Sequence, residues 1–233
     1  VSTLTASGTV AVKVSASGLV PGTIPLLSYT TFAGGGSFTV GQLPQGVVGT
    51  VTNNTASKKI ELIISSVTPL LWTGLINGNW DVNTTTNWSV NANATVFLQG
   101  DSVRINDSAA STSVIIAEAV TPGSVAVSNT ALAYTVTTTG AGKLSGTTTV
   151  LKQGTNSLTI NGSHDFTGNF TLAEGKVTIG NANALGATNS TTIIQSNGTL
   201  DAAGQDLRTH KFIVAGSGLN GQGVILSSVQ LQN

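Results

Sequence analysis

Gly175-Lys176-Val177-Thr178-Ile179-Gly180, Gly198-Thr199-Leu200-Asp201-Ala202-Ala203-Gly204 and Gly221-Gln222-Gly223-Val224-Ile225-Leu226 open on glycines 23 residues apart, and Gly154 lies 21 residues before the first of them. After each of the three glycines comes a short run of aliphatic and small polar residues, the pattern of a strand with one buried face. A recurrence of this length is too short for a propeller blade and suits one coil of a β-solenoid. Each coil lays its strand about 4.8 Å from the last. One coil alone is half a core. Stacking buries the inward Val, Ile and Leu, turns Thr, Ser and Asn to water, and satisfies the backbone from coil to coil.

The rest of the chain agrees with this reading. Val10-Ala11-Val12-Lys13-Val14, Ser37-Phe38-Thr39-Val40, Lys59-Ile60-Glu61-Leu62-Ile63-Ile64, Ser124-Val125-Ala126-Val127, Tyr134-Thr135-Val136-Thr137 and Ser157-Leu158-Thr159-Ile160 are further short strands bounded by Gly, Asn or Ser. Helical periodicity is nearly missing. The 233 residues include 36 Thr, 24 Ser, 19 Asn and 28 Gly, 107 in total, a pool that favours strands and turns. Charged residues make up 8% of the chain, and 9 basic residues balance 9 acidic ones. A nucleic-acid partner, which needs a basic face, is therefore not expected. No apolar run approaches the length that spans a bilayer, so membrane insertion is not expected either. With no Cys there is no disulfide framework and no thiolate metal site. Val1 is read as following a cleaved leader or as beginning a piece of something longer.

The stretch from His164-Asp165-Phe166-Thr167-Gly168-Asn169-Phe170-Thr171-Leu172 through Gly175-Lys176-Val177 and Asn183-Ala184-Leu185-Gly186 to Gly198-Thr199-Leu200-Asp201 resembles the autotransporter-associated β-strand repeat. The family pattern is an aromatic-Thr-Gly-Gly step, a Gly-x-Leu strand, an Asn-Ala-Leu-Gly turn and a Gly-x-Leu-Asp phrase. Asn169 replaces the second Gly of the first step, and Val177 replaces Leu. Trp72-Thr73-Gly74, Asn77-Gly78-Asn79-Trp80-Asp81 and Asn87-Trp88 resemble the phrase that opens such regions. Leu26-Leu27-Ser28-Tyr29, Gly34-Gly35-Gly36-Ser37-Phe38 and Leu43-Pro44-Gln45-Gly46-Val47 resemble the phrase that closes them. The resemblance implies an all-β chain, a right-handed parallel β-helix (β-solenoid) from the passenger region of an exported bacterial protein. It implies no reaction. A closing-type β module is expected over 1–67, where a small antiparallel module and further coils are both open. Trp-rich opening coils are expected over 68–139 and β-helix repeats over 140–233, ending at Ser228-Val229-Gln230-Leu231-Gln232-Asn233.

In the family, a strand like Val10-Ala11-Val12-Lys13-Val14 would follow one like Gly223-Val224-Ile225-Leu226. The expected partners are accordingly copies of the chain, or adjoining repeats of a longer one, meeting head to tail through Val10, Val12, Val14, Val224 and Leu226. A piece cut from a longer passenger is the alternative.

Chemistry-bearing residues are few. The densest charge cluster is Asp201, Asp206, Arg208, His210 and Lys211. Paired carboxylates with a basic neighbour serve acid–base chemistry or sugar binding, but Asp201 stands in the Gly-x-Leu-Asp turn and the others alternate as a solvated strand face would. His164-Asp165 is read as a turn. Asp101, Asn106 and Asp107 are oxygen ligands without the nonapeptide of calcium-binding β-rolls. Trp72, Trp80 and Trp88, eight residues apart, suit either a plug on the first coil or a sugar-stacking platform. The expectation is a non-enzymatic structural segment, extracellular or at the cell surface, acting as stalk, spacer or filament subunit with no cofactor and no metal. The alternative is a glycan-binding or adhesion module using Trp80, Trp88, Asp201 and Arg208.

Overall fold

The computed structural model of the chain describes residues 1–15 and 18–227, and the expected end at 228–233 lies outside the described residues. Two compact units divide at Thr68 and Pro69, close to the boundary expected at 67.

The first unit contains β1 (Thr3–Thr5), β2 (Thr9–Lys13), β3 (Gly22–Ser28), β4 (Thr31–Ala33), β5 (Ser37–Gln42), β6 (Val47–Asn54) and β7 (Lys59–Val67). β1 pairs with β4 and β2 with β5, both parallel, setting Leu4 opposite Phe32 and Val10 opposite Phe38. These four strands are two rungs of a coil. β7 lies between β3 and β6 and is antiparallel to both. The β6–β7 connection is short: the Ser57 N–H donates to Asn54 Oδ1 at 3.1 Å, and Lys58 takes φ 55°. A turn of that length leaves the two strands no choice but to run antiparallel. Ile60, Leu62 and Ile64 alternate onto the buried face of β7, with Tyr29, Val51, Phe32 and Phe38 packed around them. The segment for which antiparallel strands and further coils were both open thus contains both.

The second unit is a parallel β-solenoid. Its first coil holds β8 (Leu70–Trp72), β9 (Asn79–Trp80), β10 (Trp88–Val90) and β11 (Asn93–Thr95). Next come β12 (Ser102–Asn106), β13 (Ser113–Ile116), β14 (Ala119–Val120), β15 (Ser124–Ser128), β16 (Tyr134–Thr138) and β17 (Lys143–Leu144). They are followed by β18 (Thr149–Gln153), β19 (Ser157–Asn161), β20 (Phe170–Ile179), β21 (Thr191–Asp201), β22 (Lys211–Val214) and β23 (Ile225–Leu226). One face of the coil is the parallel stack β8-β12-β15-β18-β20-β21-β22. The other is β9-β13-β16-β19-β20-β21-β23. β20 and β21 are long enough to bend around the corner and serve both. β15 pairs with β18 across residue 139, so the stack runs without a break through the boundary expected there.

Inside, identical positions of successive coils make columns. Tyr134, Leu158, Val177 and Leu200 form one and Val114, Val136, Ile160 and Ile179 another, every member buried. The glycine period marks the corner between the faces. Gly175 stands in register with Gly198, and at φ 85° a Cβ on Gly175 would lie 2.4 Å from the Gly154 carbonyl oxygen of the coil before it. Only glycine passes there. The fourth glycine corrects the expected phase. Leu200 pairs with Ile225, which places Gly223 opposite Gly198, whereas Gly221 lies in the short 3-10 turn Leu219–Gly221. The last corner is longer and absorbs the difference.

Truncating a column residue opens a cavity that the neighbouring coils cannot fill. Leu172→Ala is expected to lower the unfolding free energy in urea by about 2–5 kcal/mol. Thr171→Ala, on the outward face of the same strand, should change it by less than about 0.5 kcal/mol.

Candidate functional site

The three tryptophans fill the interior of the first coil. Trp88 lies edge-on between Trp72 and Trp80, with ring centroids 5.0 Å away in each case, and Trp80 meets Phe97 at 5.4 Å and 83°. The Trp72 indole N–H donates to the Ser111 carbonyl at 2.8 Å. Buried Asn87 holds the rim of the same coil: its Oδ1 accepts from the Ile76 N–H at 3.0 Å, and its Nδ2 donates to Asn77 Oδ1 and the Asn79 carbonyl, both at 2.8 Å. Trp80 and Trp88 are each 1% exposed. A sugar-stacking platform on these two residues is thereby excluded, because edge-to-face packing leaves no ring face to solvent.

The charge cluster does not converge. Asp201 pairs with Lys176 of the preceding coil at 2.8 Å and accepts the Ala203 N–H at 3.0 Å; the Lys176 bond first, then that of Ala203, hold its carboxyl below the usual range. Arg208, 88% exposed, forks onto its near neighbour Asp206 at 2.6 Å. The strand begins only at Lys211, so Asp206, Arg208, His210 and Lys211 do not share a strand face as expected: the first three lie in the loop before it. The ring nitrogens of His210 are also shielded from solvent.

His164 and Asp165 point apart. The Lys143 ammonium donates to Asp165 at 2.6 Å, and the Ser145 hydroxyl also donates to it. His164 turns inward, and its Nδ1 accepts the Leu144 N–H at 3.0 Å. That bond places the neutral ring's proton on Nε2. Burial pulls the His164 pKa down to about 4, against the opposing effect of Asp165.

Two groups carry more structure than the sequence showed. Asp107 Oδ2 accepts the Thr130 N–H at 2.8 Å and its hydroxyl at 2.7 Å, while Oδ1 accepts the N–H groups of Ala131 at 3.0 Å and Leu132 at 2.9 Å. These bonds, led by that of Leu132, hold the carboxylate far below its ordinary pKa. The carboxylate is a clamp from one coil onto the turn of the next. Lys152 occupies an inward position between Val127 and Leu172, and its ammonium donates to the carbonyls of Gly154 at 2.5 Å and of Gln153 and Glu174 at 3.1 Å. Burial lowers its pKa to about 8. The period-two alternation of β18, with Val150 and Lys152 buried and Leu151 half-buried between them, puts it inside.

Among the described residues, no group of three His, Asp or Glu gathers as a metal site, and no helix is long and apolar enough to cross a membrane. Of the expected end residues, Val10 and Val12 lie half-buried in β2, the Val14 N–H donates to the Gln42 carbonyl at 2.8 Å, and the Val224 and Leu226 carbonyls accept from the Leu200 and Ala202 N–H groups. Comparison with protein-family models, curated proteins and solved structures finds no match.

Two pH effects follow from these contacts. The folded chain binds a proton at His164 less readily than the unfolded chain does, so stability is full above about pH 6.5 and falls as the pH drops toward 4. His164→Asn, whose Oδ1 replaces the Nδ1 acceptor without titrating, should flatten the melting temperature over that window. Asp107 acts lower. Its contribution is present above the ordinary Asp pKa of 3.8 and disappears with further acidification. Asp107→Ala should therefore melt below the unaltered chain at pH 7, and the gap should narrow in strong acid.

Proposed function

We propose that the chain is a non-enzymatic structural segment of an exported or cell-surface solenoid protein, a stalk, spacer or filament body presenting hydroxyl- and amide-rich coil faces. One observation carries this reading: four of the side chains able to do chemistry, Asp107, Lys152, Asp165 and Asp201, are bonded to neighbouring coils. Asp107 clamps the 130–132 turn, Lys152 ties the corner of its own coil to Glu174 of the next, Asp201 reaches back to Lys176 and Asp165 to Lys143. A carboxylate whose lone pairs are filled by N–H donors is a poor general base, and a carboxylate paired with Lys already has its counterion. Low charge serves the same end, since like charges stacked about 4.8 Å apart would repel. The resemblance to autotransporter-associated repeats supports the exported setting.

The full chain tested by affinity electrophoresis against a panel of plant and bacterial polysaccharides should migrate unretarded, and no new sugar ends should form. Retardation abolished by Arg208→Ala or Asp201→Asn would replace this reading with a glycan-binding module. Release of sugar products would replace it with an enzyme.

A further inference from the structure

Both ends of the described chain leave a rung open. Among the described residues, β22 and β23 pair with no strand but β21, and β1 and β2 with none but β4 and β5. At the C-terminal rung Val214, in register with buried Ile194, is 51% exposed, and Ile225, in register with buried Leu200, is 42% exposed. At the N-terminal rung Leu4, Val10 and Val12 are half-buried. The two edges have opposite sense. In a parallel stack the open side of β22 and β23 awaits a later rung, and the open side of β1 and β2 awaits an earlier one.

Four rungs, two in each unit, share one corner spacing. Inward residues on its two sides are six apart in Lys152 and Leu158, in Ile194 and Leu200, in Phe32 and Phe38, and in Leu4 and Val10. Two residues past the first inward position stands a glycine of positive φ in three rungs: Gly154 at 82°, Gly34 at 91° and Gly216 at 85°. Each presses on the rung before it, since a Cβ there would lie 2.3 Å from the Asn129 carbonyl oxygen, 2.2 Å from that of Ala6 and 2.4 Å from Ser196 Cα respectively. The first unit is therefore cut to the same corner as the solenoid.

We propose that β1 and β2 of one copy add in parallel to β22 and β23 of a second copy, with Leu4 against Val214 and Val10 against Ile225. This continues by one step the coil-on-coil interface that β20, β21 and β22 already form, and it rests on the structural reading above. Thr3 then stands beside Ile213, and Ala11 beside Leu226. The longer final corner, eleven residues from Val214 to Ile225, contains the 3-10 turn Leu219–Gly221. Strand addition supplies main-chain hydrogen bonds and covers the half-exposed aliphatics. With 9 acidic and 9 basic residues, copies carry no net charge to repel one another. The two surfaces differ, so the contact is heterologous and passes head to tail from one copy to the next.

The chain has no cysteine, which makes the register readable by cross-linking. Single variants Thr3→Cys, Ala11→Cys, Ile213→Cys and Leu226→Cys, all full-length with folding checked by circular dichroism, are mixed in pairs and oxidised. Thr3→Cys with Ile213→Cys and Ala11→Cys with Leu226→Cys should give a disulfide-linked dimer at several times the yield of the mismatched pair Ala11→Cys with Ile213→Cys. The unaltered chain should sediment as a concentration-dependent series. Matched yields no higher than mismatched ones, or than a single variant with itself, would overturn the proposal. So would a chain that stays monomeric at every concentration. Either outcome leaves a monomeric spacer standing, whereas glycan binding would remove the spacer reading without touching the cross-links.

Discussion

No coil of this chain can satisfy itself. Past the first coil, where β10 pairs antiparallel with both β8 and β11, a strand pairs none of its backbone within its own coil and covers only one side of its inward side chains, so both must be supplied by the coils above and below. Everything else in the second unit follows from that constraint: the parallel register, the columns such as Tyr134, Leu158, Val177 and Leu200, and the near absence of charge on stacked faces. Because identical positions recur at every coil, an unfavourable side chain at one position meets its own kind one step away. Small hydroxyl and aliphatic residues are the tolerated solution.

The polar exceptions lie where the ladder turns. At the corners backbone groups leave the regular stack and need other partners. Lys152 gives its ammonium to three carbonyls there, Asp107 collects three backbone N–H groups and a hydroxyl, and Asn87 fastens the rim of the first coil. A buried amine surrounded by carbonyls loses hydration and holds its proton less firmly, as the lowered pKa of Lys152 records. These residues belong to the fold as fully as the aliphatic columns do.

The coil period was legible because glycine at the corner is a backbone requirement that repeats with the coil: Gly175 and Gly198 are true register partners. The next step failed by two residues, since an outward loop alters spacing without altering the stack. Eight-residue spacing of the tryptophans said nothing about their depth, for a single irregular first coil has no period to place a side chain in or out. The partner of Asp107 lies 23 residues on, one coil away, and only the winding of the chain brings Thr130 beside it. His164, read as a turn residue, lies in the irregular stretch between β19 and β20, and its ring is drawn inside by the Leu144 N–H and the neighbouring Phe166. Side-chain direction at irregular corners is set by the coil beneath, which a linear pattern does not display.

The central claim is that outward positions Ser113, Thr135, Thr159, Thr178, Asp201 and Leu226 climb one ladder, each in register with the next. Electron paramagnetic resonance between spin labels placed at Ser113 and at each later position reads that ladder directly. Separations should grow by roughly 5 Å per coil, reaching roughly 24 Å at Leu226. Distances that fail to rise step by step, as in antiparallel sheets folded face to face, would contradict the stack.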